Sequence, residues 1–301
     1  MLTVAVTGAT GAQGGATARA LLSAGCRVRA LTRDPGSPAA RALAALGADV
    51  RRADFDDRVS LDAALAGADS LFAVTTPFGA DVATEARQGR RLVDAAAAAR
   101  VGHVVFTSAA HADRATGVPH YESKWAVEQH LYASGLPWTV IGPAAFMDNF
   151  AHGWTLEGLR EGSFAWPLPA GTPLTLIPAA DIGAFAALAL RRRDGFTGRR
   201  VDIASDERTS GEMAAVLASA AGRPVAHHEV PLGVVRRHSA DLAAMFAYFA
   251  GPGLAVDVAG LRRAYPEVGW HSFADWAAGQ DWAGLLGPAR SAGNGSLTPA
   301  V

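Results

Sequence analysis

The 301-residue chain has one cysteine, Cys26, and one lysine, Lys124. A lone thiol makes no internal disulfide, so disulfide-scaffold folds are excluded and a reducing compartment, the cytoplasm, is expected. Cys26 follows Gly25 and opens the apolar run CRVRAL, which reads as a buried, inert thiol. Basic excess is missing too: 27 Lys and Arg stand against 28 Asp and Glu, for a formal net charge of −1. Broad nucleic-acid binding needs a basic face, so no nucleic-acid partner is expected. No apolar run approaches the roughly 18 residues of a membrane span, so no membrane partner is expected. The opening MLTVAVTGATG lacks the charged start of a secretory leader. No metal site is expected. Half of the residues are hydrophobic and 18% are charged. At this length that supports one large α/β domain, or one domain with a small appendage. Generic positive charge is otherwise always arginine, so Lys124 either marks a place where a guanidinium does not serve or is a chance survivor.

What is present is alternation. Short apolar runs at 3–7, 27–32, 49–52, 70–74, 103–107 and 138–141 read as strands. Helical stretches at 12–24, 38–46, 60–66, 82–99 and 122–134 separate them. Strands that are continuously apolar, each followed by a helix, predict a parallel sheet covered on both faces. The expected class is α/β, a Rossmann-type doubly wound sheet. After residue 142 the rhythm breaks. Residues 143–176 are rich in proline, glycine and aromatics, and a helix at 181–191, a strand at 199–203 and helices near 210–221 and 234–250 follow. The expected division is a dinucleotide-binding domain over 1–145 and a smaller mixed α/β cap over 146–286, interleaved with the sheet. Residues 287–301 are small and polar, which predicts a disordered tail.

The chemistry begins at GATGAQG, residues 8–14, between the first strand and the first helix. Gly8 permits the tight turn, Gly11 lets a pyrophosphate approach the backbone, and Gly14 lets the helix pack on the strand. Gly8, Thr10, Gly11, Ala12, Gln13 and Gly14 are the candidate phosphate contacts, with the amides of Ala12 and Gln13 opening the helix. At the end of the second strand stands Thr32-Arg33-Asp34. Arg33 suits a ribose 2′-phosphate and points to NADP(H), whereas Asp34 would suit the unphosphorylated ribose. Asp54 and Phe55 fall at the expected adenine edge. Thr75, Thr76 and Pro77 end the fourth strand and Thr107 and Ser108 the fifth, beside the ribose and nicotinamide; their hydroxyls could instead cap the next segment. Phe78 and Ala109 are candidate substrate contacts.

His120-Tyr121-Glu122-Ser123-Lys124 opens the helix before the sixth strand. Typical short-chain dehydrogenases place Tyr-x-x-x-Lys here. In this chain Tyr121 and Lys124 are three apart, and His120 holds the position four before the lysine. The candidate catalytic residues are therefore Lys124, His120 and Tyr121.

With these residues in view the chain resembles the NmrA-like group of atypical short-chain dehydrogenase/reductases. The resemblance rests on GATGAQGG at 8–15, Thr32-Arg33, HYESKWAVEQHL at 120–131 and GLPWTVIGPAAFMDNF at 135–150. DLAAMFAYFAGPG at 241–253 and SFADWAAGQ at 272–280 extend it. It implies NADP(H) as cofactor and a catalytic role for Lys124. It also implies that the FMDNF segment lines the nicotinamide end, with Phe146 and Asn149 as contacts; Pro143 is a further cofactor candidate and Trp154 a further substrate candidate. Trp125 after the lysine and the small-residue loop at 109–118 depart from the pattern.

Two functions follow. One is an NADPH-dependent reductase passing hydride to a small apolar carbonyl, quinone, imine or activated alkene, in a slot formed by Phe78, Phe146, Trp154 and Trp166. The other is a non-catalytic NADP(H)-binding redox sensor with a protein partner. An epimerase is disfavoured because that class needs the missing tyrosine. The sequence does not specify an oligomeric state.

Overall fold

The computed structural model describes residues 1–76 and 81–287. The expectations for Pro77, Phe78 and the tail from residue 288 lie outside the described residues. The chain forms two compact units, one of Met1–Pro143 and Ala179–Ile203, the other of Ala144–Pro178 and the residues from Ala204 onward.

The first unit begins with β1 (Thr3–Val6), α1 (Ala12–Ser23), β2 (Arg27–Thr32), α2 (Pro38–Ala45), β3 (Asp49–Arg52) and α3 (Arg58–Leu65). It continues with β4 (Ser70–Val74), α4 (Val82–Ala98), β5 (Val104–Thr107), α5 (Pro119–Ala133) and β6 (Trp138–Pro143). The chain then builds β7 (Ala145–Phe146), α6 (Gly153–Arg160), β8 (Ser163–Trp166) and β9 (Pro173–Ile177) of the second unit. It returns to the first with α7 (Ala179–Arg191), α8 (Arg193–Phe196) and β10 (Arg199–Ile203). The second unit resumes with β11 (Asp206–Thr209), α9 (Ser210–Ala221), β12 (Ala226–Glu229), α10 (Leu232–His238) and α11 (Ala240–Ala250). Three short helices follow: α12 (Val258–Ala264), α13 (Phe273–Ala278) and α14 (Trp282–Leu286).

The main sheet runs β10-β6-β5-β4-β1-β2-β3, every neighbouring pair parallel. This is the doubly wound order that apolar strands alternating with helices predict. The strand expected at 199–203 is its seventh member, Arg199 facing Thr139 of β6. Helix ends explain themselves locally. Ser37, Asp57 and Asp81 each accept an amide of the first turn of α2, α3 and α4. Close helix approach is bought with missing side chains. A Cβ at Gly14 would fall 2.6 Å from the Thr7 oxygen, and one at Gly183 would fall 2.5 Å from the backbone of Ala16. So α1 rests directly on β1 and against α7.

The second unit holds two small sheets, β11-β9-β7 and β12-β8. Its centre is aromatic: Phe150 packs on Phe164, Trp166, Phe273 and Trp276 at centroid distances of 5.0–6.2 Å. Trp166 is therefore core in this unit, while Trp154, 37% exposed, stacks on its face. Cys26 is half-buried rather than buried, and burial pushes its thiol pKa up, which keeps thiolate scarce. Among the described residues no helix is long and apolar enough to cross a membrane.

His103, fully buried before β5, has its Nε2 2.9 Å from the Thr139 hydroxyl. Burial, and then the charge of Arg193, pushes its pKa from 6.5 down to about 4. The folded ring stays neutral while the unfolded chain takes up a proton below 6.5. Stability is thus expected to be full above pH 6.5 and to fall as the pH drops toward about 4. His103→Gln should flatten that part of the curve, measured by urea unfolding across the window.

Candidate active site

The candidate residues of the first unit converge at the carboxyl edge of the main sheet. The turn after β1 sets the phosphate loop: Gly8 has φ +56°, a left-handed conformation, and a Cβ there would strike Val74. The loop ends at Gly11, which precedes α1 with no side-chain cap. The amides of Ala12, Gln13 and Gly14 have no acceptor among the described residues. Thr10, Gly11 and Ala12 are exposed. An uncapped helix start in a glycine loop, with no acid in its first turn, fits an anionic pyrophosphate.

Arg33 follows β2, exposed, and forms no hydrogen bond or ion pair with the described residues. Asp34 has a local task, its Oδ1 accepting the Gly36 amide at 2.8 Å. That leaves Arg33 the freer of the two strand-end charges. Asp54 likewise accepts the Asp56 amide at 2.9 Å and shapes the turn after β3, and Phe55 is packed against the hydrophobic core beside it.

The strand tips are already wired together. The Thr107 hydroxyl donates to Gln13 Oε1 at 2.7 Å, joining β5 to the phosphate loop. Ser108 donates to Glu128 of α5, and Ala109 gives its carbonyl to Arg200 at 2.8 Å. Glu128, fully buried, also accepts from Tyr132 at 2.7 Å and from Arg200 at 3.0 Å. Arg200 further pairs with Asp202 and with Asp113. Burial works against the Arg200 charge, yet Glu128 and Asp202 hold its pKa above the ordinary value. Burial, then the bond to Glu128, drives the Tyr132 pKa up, so its phenol stays protonated.

Lys124 lies on the buried face of α5, 8% exposed. Its Nζ stands 2.7 Å from Oε1 of Glu85, in the first turn of α4, and donates to the carbonyl and hydroxyl oxygens of Thr75. Glu85 is wholly buried and accepts from Thr75 Oγ1 at 2.9 Å and from Ser123 Oγ at 2.5 Å. The ammonium's three protons are thus met by one carboxylate and one threonine. Phe106 lies beneath it, 5.7 Å away. Neither sequence motifs nor residue scarcity singled out Glu85, Glu128 or Arg200. For Glu85 a signal existed: it shares the buried stripe of α4 with Gly89, Leu92, Val93 and Ala96. A lone acid on such a stripe requires a partner.

His120 and Tyr121 sit one turn earlier on α5, their rings edge-on at 4.8 Å, with Tyr121 buried. Thr76 is exposed, and Pro143 closes β6. In the second unit Phe146 is half-buried and pairs with Ile177, while Asn149 is exposed.

Residues 2–268 match the NmrA-like family. The chain belongs to the NmrA-like family. It is 34% identical over 233 residues to an NAD(P)H azoreductase of Xenophilus azovorans, covering 76% of this chain and 77% of that protein. It is 29% identical over 233 residues to quinone oxidoreductase 2 of Escherichia coli, at 75% and 77% coverage. The structure of an NADPH-dependent quinone oxidoreductase from Escherichia coli in complex with NADPH superposes with a TM-score of 0.75. That match is 25% identical and covers 91% of this chain and 98% of the other. NmrA itself, a negative transcriptional regulator in complex with NAD, gives a TM-score of 0.77 at 22% identity over 93% and 98%. That likeness is one of fold. The NmrA-like sheet order and phosphate turn are therefore those of dinucleotide-binding folds.

Removing one partner of the Glu85–Lys124 pair leaves a buried charge unmatched. Glu85→Gln alone should destabilise by about 3–5 kcal/mol, and Glu85→Gln with Lys124→Met by clearly less. A double-mutant cycle by urea unfolding measures both.

Proposed function

We propose that this NAD(P)H-dependent reductase of the NmrA-like family uses NADPH to reduce a small, apolar carbonyl, quinone, imine or activated alkene. When bound, the dinucleotide supplies the hydride. The observation that carries the reading is the pairing of an uncapped, acid-free α1 start with an unengaged arginine at the end of β2. The free amides of Ala12, Gln13 and Gly14 suit its pyrophosphate, and Arg33 suits a 2′-phosphate. Thr75, Thr107 and Ser108 edge the site with hydroxyls whose protons are spent on Glu85, Gln13 and Glu128. What they offer a ligand is therefore acceptor capacity. Lys124 holds the end of β4 through both Thr75 oxygens and, with Glu85, fixes where the ribose-side groups stand. The proton that completes reduction of the acceptor is taken from water or from His120. The azoreductase and quinone oxidoreductase relatives support a flat, uncharged acceptor.

The sensor reading has one observation in its favour: all three Lys124 protons are satisfied within the protein. Turnover separates the two. NADPH consumption against quinones, enones, aldehydes, imines and azo compounds should reveal a substrate, and Lys124→Met should lose at least about tenfold in kcat. Tight NADPH binding without turnover on any acceptor would favour the sensor. Arg33→Ala should weaken NADPH by about tenfold or more and leave NADH nearly unchanged, read by fluorescence titration. Equal losses would remove the 2′-phosphate role.

A further inference from the structure

On the α2 side of the phosphate loop lies a cavity of about 260 Å³. The loop and α1 contribute Thr10, Gly11, Gly15 and Arg19, and α2 with the residue after it contributes an apolar wall that includes Leu43 and Leu46. Arg19 is its one charged lining group. It sits one turn after Gly15 and turns its guanidinium back over that glycine. A Cβ at position 15 would lie 3.3 Å from Arg19 Nη1, so the absence of a side chain there leaves the guanidinium its room. Arg19 makes no hydrogen bond or ion pair with any described residue, although this chain pairs many of its surface arginines with aspartates. The cavity therefore combines a hydroxyl, glycine backbone and an uncommitted planar cation, with no acid among its lining groups.

We infer that Arg19 is a second reader of the ribose 2′-phosphate, acting from α1 as Arg33 acts from the end of β2. The inference rests on the NADPH reading above. A phosphate monoester carries close to two charges and three acceptor oxygens, more than one exposed guanidinium satisfies. Two guanidinium groups approaching from different elements suit it, and a planar fork matches its geometry. The apolar wall offers the Arg19 guanidinium no competing side-chain acceptor and lowers the local dielectric on one side. Arg19 thereby sets cofactor choice from a helix position that no strand-end rule inspects.

The test is calorimetric titration of the full chain with 2′,5′-ADP, 5′-AMP, NADPH and NADH, for wild type, Arg19→Ala, Arg19→Lys and Arg33→Ala. Arg19→Ala should weaken 2′,5′-ADP and NADPH by about 10- to 100-fold and leave 5′-AMP and NADH within about twofold. Arg19→Lys should recover part of the loss, since it keeps charge without the fork. A wild type that prefers the phosphorylated ligands, with an Arg19→Ala variant that keeps the whole preference, would overturn the Arg19 assignment and leave the NADPH reading standing. Equal weakening of 5′-AMP and 2′,5′-ADP would also overturn it. A wild type with no preference for the 2′-phosphorylated ligands would overturn the NADPH reading itself. Arg19 is exposed, so thermal melting of the variant should match wild type and exclude misfolding as the cause.

Discussion

A carboxylate with no access to water dictates the arrangement around the lone lysine. Glu85 is fully buried, and an ionised acid there stands only if its charge and its lone pairs are met. Lys124 meets the charge, and Thr75 and Ser123 meet the lone pairs. Those four residues come from α4, α5 and the end of β4, so the ion pair fixes two helices to one strand tip. Arginine would not fit the same role: its fork is wider and carries five donors, and only a compact ammonium is satisfied by one carboxylate and one threonine. A compact ammonium thus suits this position in a chain whose other basic residues are all arginine.

A second buried acid repeats the device further along the sheet. Glu128 joins Ser108 and Tyr132 to Arg200, and Arg200 reaches on to Asp202 and the Ala109 carbonyl. Where the ion pair ties α4 and α5 to β4, this network ties α5 to β5 and β10. The strand tips that border a ligand are thus held by buried charge rather than by loop contacts alone. Preorganised tips of this kind suit hydride chemistry, in which the protein contributes position and electrostatics.

Much of the first unit was legible because periodicity and punctuation reported it. Apolar runs of strand length, alternating with helical stretches, specified six parallel strands, and GATGAQG marked the glycine turn between β1 and α1. Helix ends departed from expectation by a few residues where the Asp57 cap and Pro119, at the first helical position, began the helix earlier. What escaped was long-range charge pairing. Glu85 meets Lys124 across 39 positions and Glu128 meets Arg200 across 72, and no local spacing rule reaches that far. In the second unit the helix over 210–221 was legible and the one expected near 234–250 is two, α10 and α11, but the rest was legible only as aromatic richness. Its strands are two to five residues long, too short for a period, and its aromatics divide into core, like Trp166, and half-exposed, like Trp154, by packing alone.

The return of the chain at Ala179 makes the first unit a discontinuous object. α7 lies along α1 with glycine-tight backbone contact, and β10 supplies the edge strand beside β6. A protein cut after Pro143 would therefore keep every residue of the phosphate loop yet lose the helix that covers α1 and the arginine that neutralises Glu128. It would carry an exposed apolar helix face, an unpaired strand edge and a buried negative charge. Such a fragment is not a smaller dinucleotide binder but an incomplete one. Gene fusions, domain exchanges and truncations in this fold must respect a boundary that is crossed three times.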